Sequence, residues 1–503
     1  MGKVVMVQGT SSHAGKSVLA AALCRVFAQD GLRVAPFKAQ NMSLNSFATP
    51  DGGEIGRAQA MQAAAARVAP SVDMNPVLLK PEADHRSQVV VQGRPYGVAS
   101  VREYQRMKGE LWSTVTGALD RLRREFDVVV IEGAGSPAEI NLKQHDIVNM
   151  RVALHAGAPV LLIADIDRGG VFAHLVGTMA LLDPEEQALV KAFVINKFRG
   201  DVSLLEPGLE MLRDRTGVPV AGVLPYFTDI HLPEEDSLGL PPGAASRQGG
   251  LDIAIVRLPH IANFDDFDPL RWEPDVHLRY VSGAEDLGRP DLIVIPGSKT
   301  TVADLDWLRE TGLDVRIVGL HSDGVPVIGI CGGYQMLGTR VHDPDGVESN
   351  RQETAGLALL PASTVFSREK AVHQVTARVA SNSGMLRGCE GARLSAYEIH
   401  MGVTTSDRPD APFQIASRSG RPADDPDGAI DSEGKTLGTY LHGLFHNRAF
   451  RRSVLGFLAD SKGIPLSEAE ADIDPDHEYD KLADFVRTHL DMALIRGIVG
   501  LPR

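Results

Sequence analysis

Two short stretches of this sequence hold residues whose types and spacing can do chemistry, and they call for different reactions. In VPVIGICGGYQML, Cys331 lies between Gly329 and Gly333, directly after an apolar run and directly before a helical pattern. A Gly-x-Cys-x-Gly turn presents a nucleophile on a sharp strand-to-helix bend, where larger flanking side chains would clash. The helix N-terminus beside it favours thiolate, the reactive form of cysteine. Such a nucleophile needs a base, and His442 in TYLHGLF, after another apolar segment, is the candidate. Amides around Gly297 and Ser298 in IPGSKTT, paired with that of Gly332, supply an oxyanion hole. An isolated cysteine or histidine is more often a structural core residue. The pair and its glycines together favour acyl transfer at a thiol, whereas Cys24, on a helical apolar face, and Cys389, in a Gly-rich loop, read as structural.

The second stretch is GTSSHAGKS, from Gly9 to Ser17, between the apolar run KVVMVQ and a helical segment VLAAALCRVFAQ. A strand, a small-residue loop and a helix start aim backbone N–H groups and the positive end of a dipole at phosphate. Lys16 reaches the terminal phosphates of a nucleotide, and the Ser17 hydroxyl ligates Mg²⁺. Five residues, not four, separate Gly9 from Gly15, so the loop is longer than the common phosphate-loop form. Phosphoryl oxygens and Ser17 leave the metal short of anionic ligands, and Glu132, at the end of DVVVIE, stands where an acidic ligand belongs. Glu54, in GGEIGRAQ, is a second metal candidate, with a solvated carboxylate at a helix start as its plain alternative.

The elements that must carry these residues are legible as repeated short apolar runs. KVVMVQ, RVAPFK, DVVVIE, PVLLIAD and KAFVIN are continuously apolar rather than alternating, as expected of strands covered on both faces of a parallel sheet. The first half therefore reads as a doubly wound α/β domain over 1–236. SLGLPPGAASRQGG, residues 237–250, collects Pro, Gly and small polar residues and is expected to be a linker. The rhythm restarts with LDIAIVRL, DLIVIPG and VPVIGIC, giving a second α/β domain over 251–450, and 451–503 has the spacing of a terminal helical packing element.

Bulk properties narrow the function. A chain of 503 residues exceeds what one core usually supports, so two domains are expected. A net charge of −14 opposes a general nucleic-acid binder, which needs a dense cationic face. Three cysteines are too few for a disulfide framework and fit a reducing compartment. The first residues meet glycine at once and lack a secretion signal's apolar core, and no stretch approaches the ~20 apolar residues of a bilayer span, so a cytoplasmic location without membrane attachment is expected.

With both sites in hand, the sequence resembles the cobyric acid synthase family, glutamine-hydrolysing enzymes of cobalamin biosynthesis. The stretches that carry the resemblance are FKAQNMSLNS, EGAGSPAEINL, HDIVNM, DIDRGGVFA and NKFRGD in the first half, and CGGYQMLG, YEIHMG and TYLHGLF in the second. The longer loop is similar to the GTxxxxGK[ST] form of the dethiobiotin synthetase group, and the second half is similar to class I glutamine amidotransferases. The resemblance implies an ATP-dependent amidoligase fused to a glutaminase. Its substrates would be glutamine, ATP and adenosylcobyrinic acid a,c-diamide, whose b, d, e and g carboxylates become amides. Gly9, Thr10, Gly15, Lys16, Ser17 and Asn196 are expected at the nucleotide; Lys38 and Arg168, in loops at predicted strand ends where open α/β sheets bind ligands, together with Asp146 and Asp165, are expected to position substrate or phosphoryl group. Lys80, His85, Arg86, Lys143, Lys197 and Arg199 are further cations in loops that suit a polycarboxylate acceptor. One position departs from the wider amidotransferase class: the glutamate two residues beyond the histidine is Leu444 here, as in the cobalamin branch, so the residue orienting His442 is open, with Glu398 and His400 as candidates. Two rival readings remain at this level. One is the sister synthetase that amidates the a and c carboxylates. The other is a partition-type regulatory ATPase, although the early second lysine of such loops is replaced here by Thr10 and Ser11.

Overall fold

The computed structural model describes all residues except 84–85, 234–248, 409, 468–472 and 503. Most of the expected linker, and His85, lie outside the described residues. The chain divides into two compact units, one formed by Met1–Ser43, Ile55–Glu235 and Asp474–Arg503, the other by Leu44–Glu54 and Asp236–Ile473.

The first unit is built on a six-stranded sheet that runs Val220–Pro225, Val190–Phe198, Val160–Asp165, Lys3–Gly9, Val128–Glu132, Val34–Phe37 across its width. Every pairing in it is parallel. The unbroken apolar runs follow from this: Val4 and Met6 face one core while Val5 and Val7 face another, so neither side of the first strand meets water. Strand order reverses about Lys3–Gly9, and the carboxyl ends at such a reversal are where open α/β sheets bind ligands. Gly9, Glu132, Asp165 and Asn196 all lie at or beside those ends.

The second unit carries a six-stranded sheet ordered Val276–Val281, Leu251–Val256, Leu292–Ile295, Val327–Ile330, Thr436–Thr439, Ala429–Ile430, parallel except for the last strand at its edge. A largely antiparallel sheet that includes the long strands Ala362–Val379 and Arg393–Ser406 belongs to the same unit.

Two departures from the expected domain limits have clear physical causes. The tail does not act as one terminal element. Helix Arg448–Lys462 buries Phe450, Val454, Leu455 and Leu458 in the second unit's core, whereas helices Pro475–His489 and Met492–Val499 close one face of the first unit's sheet. There Leu482, Val486 and Ile495 are fully buried or nearly so, each contributing about 1.5–3 kcal/mol of hydrophobic stabilisation. Asp476 and Asp480 bind the buried guanidinium of Arg25 at 2.8 and 2.7 Å, which compensates that charge for its loss of water. The second departure is Leu44–Glu54, an excursion of the N-terminal half that belongs to the second unit.

Candidate functional sites

In the second unit, strand Val327–Ile330 feeds directly into helix Gly332–Leu337, and Cys331 at the junction takes φ 53° and ψ −109°. Backbone of this kind costs a non-glycine residue about 1–3 kcal/mol and is retained where function or surroundings demand it. The flanking glycines are needed for close approach: a Cβ on Gly333 would stand 1.9 Å from the Ile295 carbonyl oxygen, and one on Gly329 2.7 Å from that of Gly333. Cys331 N–H donates to Thr439 O at 2.8 Å, fixing the turn to the neighbouring strand, and the thiol donates to Ile399 O at 3.4 Å.

His442 follows strand Thr436–Thr439 and is 1% exposed. Its Nδ1–H donates to Asp266 Oδ2 at 2.7 Å, while the other carboxylate oxygen accepts the Gly443 amide at 2.8 Å. Burial opposes a charged imidazole, but the Asp266 carboxylate and then the Cys331 sulfur outweigh it and push His442 up to about 10. The ring stacks on Tyr397 with centroids 5.1 Å apart, and the two backbones exchange hydrogen bonds. A Cβ on Gly297 would lie 3.1 Å from His442 Cε1 and 3.8 Å from Cys331 Cβ, and one on Gly332 would lie 2.8 Å from the Ser298 amide nitrogen. Nucleophile, histidine and the expected oxyanion amides are therefore gathered at one place. Ser298 is itself held by a 2.6 Å hydrogen bond from its hydroxyl to Asp304.

The orienting residue is thus Asp266, in the short 3-10 turn Phe264–Phe267. Neither Glu398 nor His400 fills that role. Glu398 is bound by Arg418 at 2.5 Å, and His400 stacks on Tyr440 and hydrogen-bonds through Nδ1 to Gly402 O. The YEIHMG strand contributes through Tyr397 instead. The signal for Asp266 was a run of acids, FDDFD, set among apolar residues, since Asp265 and Asp266 are each 1% exposed and a carboxylate is rarely buried without a partner to justify it.

Asp266→Asn is expected to lower kcat for glutamine cleavage by about tenfold to a hundredfold, because a thiol relies less on its base than a hydroxyl does. The pH dependence gives the sign. A histidine raised to about 10 keeps its proton below that value and loses it above, so the alkaline limb of the wild-type profile is expected near 10. Without the carboxylate that limb moves down toward the ordinary 6.5. A profile unchanged in Asp266→Asn would show that Asp266 does not govern the imidazole.

In the first unit, the loop after Lys3–Gly9 opens helix Lys16–Gln29 through Gly15 at φ 102°. Thr10 N–H donates to Ile163 O, and Asn196 Nδ2 donates to Ala14 O at 2.9 Å, so Asn196 shapes the loop from the neighbouring strand end. Lys16, 7% exposed, donates to Ser11 O at 2.9 Å and Gly135 O at 3.1 Å. Ser17 Oγ donates to Glu132 Oε1 at 2.9 Å, Lys38 Nζ reaches the same oxygen at 2.8 Å, and Gln62 Nε2 takes Glu132 Oε2 at 2.5 Å. Ser17 and Glu132, the expected metal pair, are brought together, and Lys38, expected at substrate or phosphoryl positioning, joins them. Gln62 was not anticipated, because an amide in an Ala-rich helix carries no motif.

The remaining expected residues divide. Asp165 accepts Lys197 at 2.9 Å, with the exposed Arg168 4.0 Å away, at the same strand-end level as Asn196. Asp146 accepts the amides of Val148, Asn149 and Arg151, which gives it a local backbone-capping role before helix Met150–Ala156. Lys143 is paired with Asp183 and Glu186, and Arg199 lies over the Tyr226 ring and pairs with Asp167. Glu54 belongs to the second unit, where Lys370 and Ser46 hold its oxygens at 2.5 and 2.7 Å.

Residues 252–450 match the family described as a CobB/CobQ-like glutamine amidotransferase domain, and 5–239 match the CobQ/CobB/MinD/ParA nucleotide binding domain. The cobyric acid synthase of Sorangium cellulosum is 54% identical over 514 residues, covering 99% of each chain. Those of Dehalococcoides mccartyi and Moorella thermoacetica are each 52% identical, covering 99% and 100% of this chain and 99% and 98% of theirs. Identity at this level runs through both domains and leaves no part of either outside the relatives. On this full-length kinship the chain belongs to the cobyric acid synthase family.

Proposed function

We propose that this chain converts the b, d, e and g carboxylates of adenosylcobyrinic acid a,c-diamide to amides, using ATP to activate each one and glutamine to supply nitrogen. The observation that carries the reading is the Cys331–His442–Asp266 cluster in a chain whose other unit presents Lys16, Ser17 and Glu132 around a phosphate loop. Full-length kinship with cobyric acid synthases favours it over the sister a,c-amidating enzyme, and a glutaminase cluster has no use in a partition-type ATPase.

A carboxylate is a poor electrophile, so its oxygen attacks the γ-phosphorus of ATP, ADP departs, and an acyl phosphate with a competent leaving group is formed. Lys16 carries the charge that neutralises the terminal phosphates, and Thr10, whose buried hydroxyl has no hydrogen-bond partner among the described residues, is a donor suited to a phosphoryl oxygen. Ser17 and Glu132 fit a magnesium ion, since one hydroxyl and one carboxylate are what a site completed by phosphate and water oxygens needs. Bound there, the ion would spread the charge that develops between the β and γ phosphates.

At the other site the Cys331 thiolate attacks the amide carbon of glutamine, and the amides of Ser298 and Gly332 stabilise the oxyanion. Protonated His442 gives its proton to the leaving nitrogen, ammonia departs, and a glutamyl thioester remains, which water then cleaves to glutamate with His442 as base. Ammonia attacks the acyl phosphate and expels phosphate. Among the described residues no helix is long and apolar enough to cross a membrane, and the three cysteines are unbridged, which supports action in the cytoplasm.

The test is the mass of the product. Four amidations on the a,c-diamide are expected with ATP and glutamine. Two amidations on the unamidated acid would assign the chain to the sister reaction instead.

A further inference from the structure

The excursion Leu44–Glu54 begins shortly after Lys38 and ends shortly before Gln62, the two side chains that grip the Glu132 carboxylate in the first unit. Yet the excursion itself is packed within the glutaminase unit. Asn263 N–H donates to Asn45 Oδ1 at 2.7 Å, and Ser46 N–H donates to Asn263 Oδ1 at 2.9 Å, a reciprocal clamp between residues that are each at most 3% exposed. Asn263 stands in the left-handed region at φ 54° and opens the turn Phe264–Phe267, accepting the Asp266 amide through its own carbonyl at 3.1 Å. Asp266 is the residue that holds His442.

A second line reaches the same histidine. Phe47 packs on Tyr397 with centroids 5.0 Å apart, and Tyr397 stacks on His442. Gln374, opposite Tyr397 in the strand pairing, donates to Ala48 O at 3.1 Å, and Lys370 pins the far end of the excursion through Glu54. A few short hydrogen bonds and one ring contact thus fix both supports of the imidazole to a segment whose two ends continue into the residues around Glu132.

We propose that Asn45 and Ser46 are positioning residues of the glutaminase, which hold the Asp266 turn through Asn263 and so keep His442 aimed at Cys331. This rests on the division of labour given under the proposed function. No new bond is made or broken in the step: the clamp sets how well His442 is aimed, and therefore the rate of thioester formation rather than the affinity for glutamine.

The test uses the full-length chain and measures glutamine hydrolysis beside ammonia-driven amidation. Asn45→Ala is expected to lower kcat for glutamine hydrolysis about tenfold, with KM for glutamine and ammonia-driven amidation both within about twofold of wild type. Asn45→Asp keeps the oxygen that accepts from Asn263 and is expected to recover most of the loss. An unchanged kcat in Asn45→Ala, or an equal loss with ammonia, would overturn the proposal. Should Asn45→Ala fold poorly, Asn263→Asp and Asn263→Gly decide it: both residues accept the left-handed backbone, and only aspartate keeps the acceptor for the Ser46 amide. Glycine about tenfold slower than aspartate supports the clamp, and equal rates overturn it. A wild-type chain with no glutaminase activity would instead sink the underlying functional reading.

Discussion

Cys331→Ser is expected to lower glutamine-driven amidation by about a thousandfold or more, equivalent to about 4 kcal/mol or more of transition-state stabilisation, because a hydroxyl here lacks the nucleophilicity of a thiolate. Ammonia-driven amidation at elevated pH should stay close to wild type. Free ammonia is scarce at neutral pH, where it is mostly ammonium, and raising the pH supplies the same nucleophile that the glutaminase would have released. The geometry makes the separation sharp. Cys331, His442 and Asp266 all belong to one unit, and Lys16, Ser17 and Glu132 all belong to the other. Serine at 331 keeps volume and backbone nearly unchanged, so the strained turn and its hydrogen bond to Thr439 should survive. Loss of activity with both nitrogen sources would mean that the two reactions are not divided in this way.

What the sequence shows readily are features that depend on neighbours along the chain. Strands buried on both faces must be apolar at every position, so KVVMVQ and DVVVIE announce a parallel sheet without any partner in view. Gly329 is required by a contact within its own strand–turn–helix and Gly333 by the Ile295 carbonyl of the neighbouring strand, yet the Gly-x-Cys-x-Gly string, like Lys16 and Ser17 at a helix start, is contiguous in the chain and therefore legible. Asp266 and Gln62 are different. Each acts on a partner far away in the chain, His442 and Glu132, and no spacing relates them. Asp266 left only the oddity of acids set among phenylalanines, and Gln62 left nothing. The division of the tail was equally hidden, because helices Arg448–Lys462 and Pro475–His489 are amphipathic to the same degree while their apolar faces serve different cores. Glu54 is ambiguous for the related reason that a carboxylate before a helix suits a metal and an ion pair equally well. Its partner Lys370 lies on a strand of the second unit that no local pattern connects to it.

The complementary experiment acts on the other unit. Lys16→Ala is expected to reduce amidation by about a thousandfold or more whether glutamine or ammonia supplies the nitrogen, because the acyl phosphate is upstream of both. Phosphoryl transfer leaves little covalent work to the protein, so neutralising the charge on the transferred group accounts for most of the acceleration. Lys16 is well suited to such neutralisation, since its ammonium is almost shielded from water and is held at the loop by the carbonyls of Ser11 and Gly135. A polyanionic phosphate offers that ammonium charge-assisted hydrogen bonds, stronger than those to the two carbonyls. Glutamine cleavage at Cys331 involves no phosphoryl transfer and should remain measurable in Lys16→Ala, with ammonia released and no amide formed. The decisive comparison is therefore amide yield against glutamate yield. If Lys16→Ala still amidates the acceptor from ammonia, carboxylate activation does not run through this loop, and the nucleotide must serve some other step.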